Sequence, residues 1–311
     1  MKISGFTVVR NADKYYFPIR ECIESMLPVV DEVIVALGNC DPGDKTRELI
    51  QSISSDKIKI YDRVWDEKLY RDGAVLREET SFALGKCSGD WCIYLQADEL
   101  LHQNDHRKIR ELCALYLEKR EVDGFLLKYF HFWGDYNHYF RSHAWYPYEI
   151  RIVRNHAGVI SYRDAQSFVL SSGEKLRVIK TDIRIFHYGW VRPPGMMNTK
   201  RKEQYGLHNG KGTSKKDMLE DFFEFGPLGK LDRYAGSHPV VMQEWIKKID
   251  WQDKLNYGKK FLPVSRETLK HEQPKYRILS FIENHFLNGR QIFGWRNWKL
   301  TGAYKKPDEK D

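Results

Sequence analysis

Over its first hundred residues the chain alternates apolar runs of strand length with segments of helical spacing, a pattern that calls for a parallel sheet with covering helices. Residues 2–9 are β-rich, and Ile19, Cys22, Ile23, Met26 and Leu27 recur at helical spacing before Pro28. A buried-strand run at 33–37 leads into a loop dense in turn formers at 38–44. A helix is expected at 46–53, a short strand around Ile58, Ile60 and Tyr61, a helix over 74–85 and a fourth strand at 91–95. In such sheets the ligand lies beyond the carboxyl ends of the strands. The loops that follow those ends carry Arg10 and Asn11; Asn39, Asp41 and Asp44; Asp62 and Arg63; Gln96, Asp98 and Glu99. Acids gathered at one sheet edge are what a site for a metal and a phosphorylated ligand requires.

From residue 124 the texture changes. Strands are expected at 124–133, 150–153, 159–162 and 181–186, and from about Pro193 the pattern turns helical and aromatic. At 311 residues the chain has room for two domains, and the expected division is 1–190 and 191–311. Hydrophobic residues at 41% and charged residues at 30% are globular proportions, so a wholly disordered or fibrous chain is excluded. No run nears the ~18 apolar residues that span a bilayer. The first residues read as a strand rather than a signal peptide. The five cysteines form no C-x-x-C pair and are odd in number, which fits reduced thiols in a cytoplasmic protein.

The formal net charge of +8 is concentrated: residues 200–311 hold 23 Lys and Arg against 15 Asp and Glu, and the remainder balances to zero. A basic surface suits an anionic partner, a solvated helical face being the plainer alternative.

The sharpest local signal is the apolar strand that ends abruptly in Gln96-Ala97-Asp98-Glu99. A short turn there can aim one carboxylate at a hard cation such as Mg²⁺ or Mn²⁺, whose remaining shell is water and substrate phosphate. The alternative is a helix start whose acids suit the macrodipole. His187, at the end of an alternating strand, is either a structural imidazole or a ligand.

The segment 3–99 resembles the nucleotide-sugar half of family-two glycosyltransferases, which have the GT-A fold. The resemblance is carried in order by Thr7-Val8-Val9-Arg10-Asn11, Cys22-Ile23-Glu24-Ser25-Met26, Val30-Asp31-Glu32-Val33-Ile34-Val35, Asp44-Lys45-Thr46 and the stretch from Gly89-Asp90-Trp91 to Glu99. It extends through Arg151-Ile152-Val153-Arg154-Asn155, Gly158-Val159-Ile160 and Ile185-Phe186-His187-Tyr188-Gly189-Trp190. It covers about the first 190 residues. The expected fold class is therefore α/β: a GT-A-like, doubly wound, mainly parallel sheet with flanking helices, followed by a mostly helical C-terminal region.

The resemblance implies transfer of a sugar from a nucleoside diphosphate sugar to a saccharide or lipid-linked acceptor hydroxyl, with inversion. It implies a divalent metal, Mn²⁺ or Mg²⁺, held by Asp98 and His187. Arg10, Asn11, Asn39, Asp41, Asp62, Arg77 and Gln96 are the expected donor-binding residues, and Lys200, Arg201 and Lys202 add charge over the diphosphate. Three departures matter. Gln96 stands where the family's D-x-D motif has its first aspartate. The loop after the second strand lacks its usual terminal aspartate, leaving Asn39 or Asp41 to face the base. The family's His-Glu pair is replaced by Arg163-Asp164-Ala165-Gln166-Ser167, which leaves Asp164 as the expected base and Glu149 as the next candidate.

A nucleotidyltransferase would carry a glycine-rich loop after the first strand, which Arg10-Asn11-Ala12-Asp13 does not. A catalytically inactive carbohydrate-binding relative is favoured by Gln96 and opposed by Asp98, Glu99 and His187. No nucleic-acid-binding motif is present. The basic, aromatic segments 242–260 and 276–299 are candidates for peripheral contact with the inner face of a membrane, packing of their aromatics against the sheet being the plainer alternative.

Overall fold

The computed structural model describes residues 1–155, 158–260, 266–294 and 296–304. Trp295 and the tail from Lys305 to Asp311 lie outside them. The first strands, β1 (Ile3–Val9), β2 (Glu32–Leu37), β3 (Ile58–Asp62) and β4 (Trp91–Tyr94), pair in parallel in the spatial order β3-β2-β1-β4. β2 and β4 are buried along their whole length and β1 nearly so. That is why they read as unbroken apolar runs rather than alternating ones. Helices α1 (Ile19–Met26), α2 (Thr46–Gln51) and α3 (Ala74–Gly85) make the crossovers. Ile19, Cys22, Ile23 and Met26 of α1 lie on one buried stripe against the sheet.

Beyond β4 come β5 (Glu99–Leu101), α4 (His106–Leu115), β6 (Gly124–Trp133), β7 (His138–Phe140), β8 (Tyr148–Arg154), the hairpin of β9 (Val159–Tyr162) with β10 (Ser167–Leu170), and β11 (Leu176–Trp190). β8 enters antiparallel between β4 and β6, so the sheet continues β4-β8-β6 with mixed polarity. β11 is far longer than the 181–186 expected from sequence. It pairs parallel with β6 and antiparallel with β5, and the register sets His187 beside both His131 and Glu99. The expected α/β class is borne out: the strand order, with β8 inserted antiparallel between β4 and β6, is that of a GT-A-like sheet.

After β11 the chain forms α5 (Pro194–Asn209), short 3₁₀ turns, β12 (Asp232–Arg233), the brief α6 (Gln243–Ile246), α7 (Pro274–Phe286) and β13 (Trp298–Ala303), which pairs with β11. Phe223, Phe225 and Trp251 are buried with Phe132, Trp133 and Tyr188 in one aromatic cluster. Aromatic pairs in such clusters, as in the 4.6 Å stack of Trp133 on Trp190, add about 0.5–1.5 kcal/mol beyond area burial. All five cysteines are free, and four of them are buried. Among the described residues no helix is long and apolar enough to cross a membrane.

Candidate active site

A cavity of about 500 Å³ opens where β1 and β4 end. Val8, Val9 and Arg10 come to it from β1, and Tyr94, Gln96 and Asp98 from the end of β4. α5 closes the opposite side with Lys200, Glu203 and Leu207, while Trp145, Tyr146 and His187 form an end wall.

The two acids after β4 part company. Glu99 turns into the core, where Arg151 grips it through two bonds of 2.8 and 2.9 Å and the Tyr129 hydroxyl donates at 2.8 Å. Glu99 and Arg151 are both fully buried, and removing one partner of such a pair costs about 3–5 kcal/mol. Asp98 faces the cavity. Lys200 Nζ lies 3.4 Å and Arg192 Nη2 3.9 Å from its Oδ2, and His187 Nε2 lies 3.8 Å from its Oδ1. Burial alone would raise the Asp98 carboxyl; Lys200, then His187 and Arg192, hold it below the usual range instead. The cations bear the opposite cost. Burial, helped by Arg192, brings Lys200 down to about 7, and burial brings Arg192 down to about 10.

The tautomer of His187 follows from its neighbours. His131 Nε2 is 2.8 Å from the Tyr146 carbonyl, which can only accept, so Nε2 carries the proton. Burial holds His131 neutral. Its Nδ1 therefore accepts from His187 Nδ1–H at 2.9 Å. His187, which burial also keeps toward the neutral form, is left with the Nε2 lone pair facing Asp98. A protein ligand fixed through its second ring nitrogen is the usual arrangement at metal sites.

Asp98 and His187 fit a divalent cation. Gly189 supplies the space: a Cβ there would stand 2.5 Å from His187 Nε2 and 2.9 Å from Asp98 Oδ2. Among the described residues no group of three or more His, Cys, Asp or Glu forms a closed cage, so water and ligand oxygens would complete the shell, as Mg²⁺ prefers.

At the other end of the cavity Arg10 is locked. Its Nε donates to Asn39 O at 3.0 Å, its Nη1 to the Tyr70 hydroxyl at 2.7 Å, and Glu203 and Asp41 stand at 3.2 and 3.5 Å. Gln96 lines the cavity, its amide 3.4 Å from Ala165 O. Asp164 also lines it, from a loop whose Arg163 and Ala165 adopt left-handed φ. Gly73, at φ +68°, makes room for that loop, since a Cβ there would lie 2.4 Å from Asp164 Cβ.

The remaining expected residues are not in the lining. Asn11 is buried at φ 55°, with its Oδ1 accepting from Asp41 N–H at 2.7 Å, which shapes the loop behind Arg10. Asn39 accepts from Trp65 N–H at 3.0 Å. Asp41 reaches the site only through Arg10. Asp62 is exposed and paired with Arg47, and Arg77 is exposed on α3. Glu149 is buried behind the wall, its Oε1 accepting from Gln166 at 2.8 Å, and burial lifts its carboxyl to about 7. Sequence reasoning missed His131, Arg192, Trp65, Tyr146 and Glu203. No local pattern marks them, because each arrives through strand register or through packing of α5.

No family model matches the chain, and no curated protein matches it. Among solved structures it is similar to S. aureus TarS, at 14% identity over 65% of this chain and 39% of that one, with a TM-score of 0.39. It is similar to S. aureus TarS 1-349 in complex with UDP-GlcNAc, at 18% identity over 42% of this chain and 35% of that one, TM-score 0.29. It is also similar to glucosyl-3-phosphoglycerate synthase from Mycobacterium tuberculosis in complex with Mn²⁺, UDP and phosphoglyceric acid, at 18% identity over 42% and 43%, TM-score 0.28. The chain spans less than half the length of each of these proteins. By its own strand order and its ordered motif series, the chain has a GT-A-like fold.

Proposed function

We propose that the protein is a glycosyltransferase that uses a nucleoside diphosphate sugar. The observation that carries this is the convergence of Asp98, the bare Nε2 of His187 and Lys200, with Arg192 buried behind them, at one end of a cavity whose other end, beside the charge-paired Arg10, is lined by Trp65, Leu76 and Tyr94. A diphosphate fits the first end and a nucleoside the second. Departure of the diphosphate builds negative charge, and fixed positive groups stabilise it most when water is excluded. Lys200 and Arg192 are such groups. Asp98 and His187 would hold a divalent cation, which when bound would polarise the leaving phosphate oxygens. We assign Asp164, which lines the cavity, as the carboxylate that would take the proton of the acceptor hydroxyl as its oxygen bonds to the anomeric carbon and the diphosphate leaves. Attack opposite the leaving group inverts that carbon.

A thermal-shift series of nucleoside diphosphates, with and without Mn²⁺, tests the reading. One nucleotide should raise the melting temperature, since a ligand bound only by the native state stabilises it by mass action. If none does, and no nucleotide sugar is consumed, the proposal fails. Asp164→Asn should lower kcat by about a hundredfold or more while nucleotide binding holds.

A further inference from the structure

α7 is built inside out. Its polar side chains face the protein: Glu283 is 2.7 Å from His143 Nδ1, the Ser280 hydroxyl accepts from His143 N–H at 2.9 Å, and Asn284 Nδ2 donates to Arg141 O at 2.6 Å. Its apolar side chains face water: Ile278 is 60%, Phe281 56% and Phe286 73% exposed. The following loop folds back onto the helix through Ile292 N–H to Glu283 Oε1 at 2.7 Å and presents Phe293, 96% exposed. A helix of a soluble domain buries its apolar stripe; large apolar groups left outside mark an interaction site.

The charge along this segment favours one occupant. From residue 273 to 304 the chain holds five Lys or Arg and a single acid, Glu283, which is buried. Lys275 and Arg277 are exposed on α7 and Arg290 in its loop. Two copies meeting here would crowd Lys275 and Arg290 together, whereas an anionic lipid surface neutralises them while its acyl boundary takes the aromatics. The other basic segment, 242–260, lacks this design, because Trp251 and Met242 are buried in the aromatic cluster.

We infer that α7 and its loop dock the protein on an anionic lipid surface through Ile278, Phe281, Phe286 and Phe293 with Lys275, Arg277 and Arg290. Gln291, in the docking loop, donates to Trp145 O at 2.8 Å, and Trp145 lines the cavity. Docking thus sets the cavity wall beside the membrane, and a lipid-linked acceptor follows if the glycosyl-transfer reading holds; the docking itself does not depend on it.

Co-sedimentation with phosphatidylcholine vesicles, with and without phosphatidylglycerol, tests this. The full chain should pellet with the anionic vesicles at low salt and release as salt rises. Phe281→Ser should weaken binding about tenfold, and Lys275→Glu and Arg277→Glu about fivefold or more each. Circular dichroism and nucleotide-induced thermal shift should match the parent in all three, which separates this test from that of donor use. Absence of vesicle binding, equal binding to neutral vesicles, or unchanged binding by the variants would overturn the inference. Dimers dispersed by Phe281→Ser, without vesicle binding, would give the face to a second copy instead.

Discussion

The two ends of the cavity treat charge in opposite ways. Around Arg10 every charge has its counterpart, with Asp41 and Glu203 at 3.5 and 3.2 Å and Lys14 paired to Asp41 in turn. Around Asp98 one carboxylate faces two buried cations, with a neutral imidazole beside them. The first end is a closed network that can hold shape but has little to offer a charged ligand. The second sets surplus positive charge at buried positions, and the lowered Lys200 shows the cost of keeping it there. A buried surplus of this kind is relieved by an anion, so under the proposed function the asymmetry would orient a ligand that is anionic at one end only.

Asp98→Asn should break the contrast outright. Turnover should fall by roughly a thousandfold or more with circular dichroism unchanged, and near-parental activity would mean that the charged end is not where the chemistry occurs. Gly189→Ala adds one methyl group against His187 Nε2 and Asp98. A displacement of that kind costs about a hundredfold in turnover, and isothermal titration should show weaker Mn²⁺ binding in the presence of nucleotide.

Lys200→Met sharpens the comparison by removing the surplus, leaving Arg192 against Asp98, and should weaken nucleoside diphosphate binding about tenfold. It also predicts a pH signature. The folded pKa of Lys200 is depressed to about 7, so the parent should lose nucleotide affinity as pH rises through 7 and the variant should not. For stability the sign is opposite: the native state binds this proton more weakly than the unfolded one, so the parent should gain stability on the variant as pH rises from about 7 toward the ordinary lysine value. Melting curves over that range check it.

Glu149→Gln has the smallest expected effect. With its folded pKa raised to about 7, the contribution of Glu149 to stability is present at low pH and lost as pH rises through about 7. The amide should melt above the parent at alkaline pH, by the few degrees that about 1 kcal/mol gives a domain of this size, and should leave nucleotide binding intact. A large loss of turnover would instead bring Glu149 into the reaction.

Much of the first half was legible before folding, for a local reason. β1, β2 and β4 are short apolar runs closed by polar loops, so their ends, and with them Arg10, Gln96 and Asp98, are marked by neighbours in sequence. The expected donor residues that stand off the cavity, Asp62 and Arg77 among them, lie at the right end of the right element. Which way each points depends on partners such as Arg47 that no local pattern announces.

The sequence by itself determined the alternation, the acid pair at the end of β4, the position of His187 and the basic surplus of the last third, because periodicity, turn chemistry and composition act over a few residues. Only the tertiary structure decided which acid of the pair would face the cavity, since Arg151 claims Glu99 from a strand some fifty residues away. It also decided the tautomer of His187, through a register that sets His131 beside it, and the outward face of α7. That helix has an ordinary amphipathic sequence, and its apolar side is left in water because its polar side, through Glu283, Ser280 and Asn284, is hydrogen-bonded to the loop at 141–143.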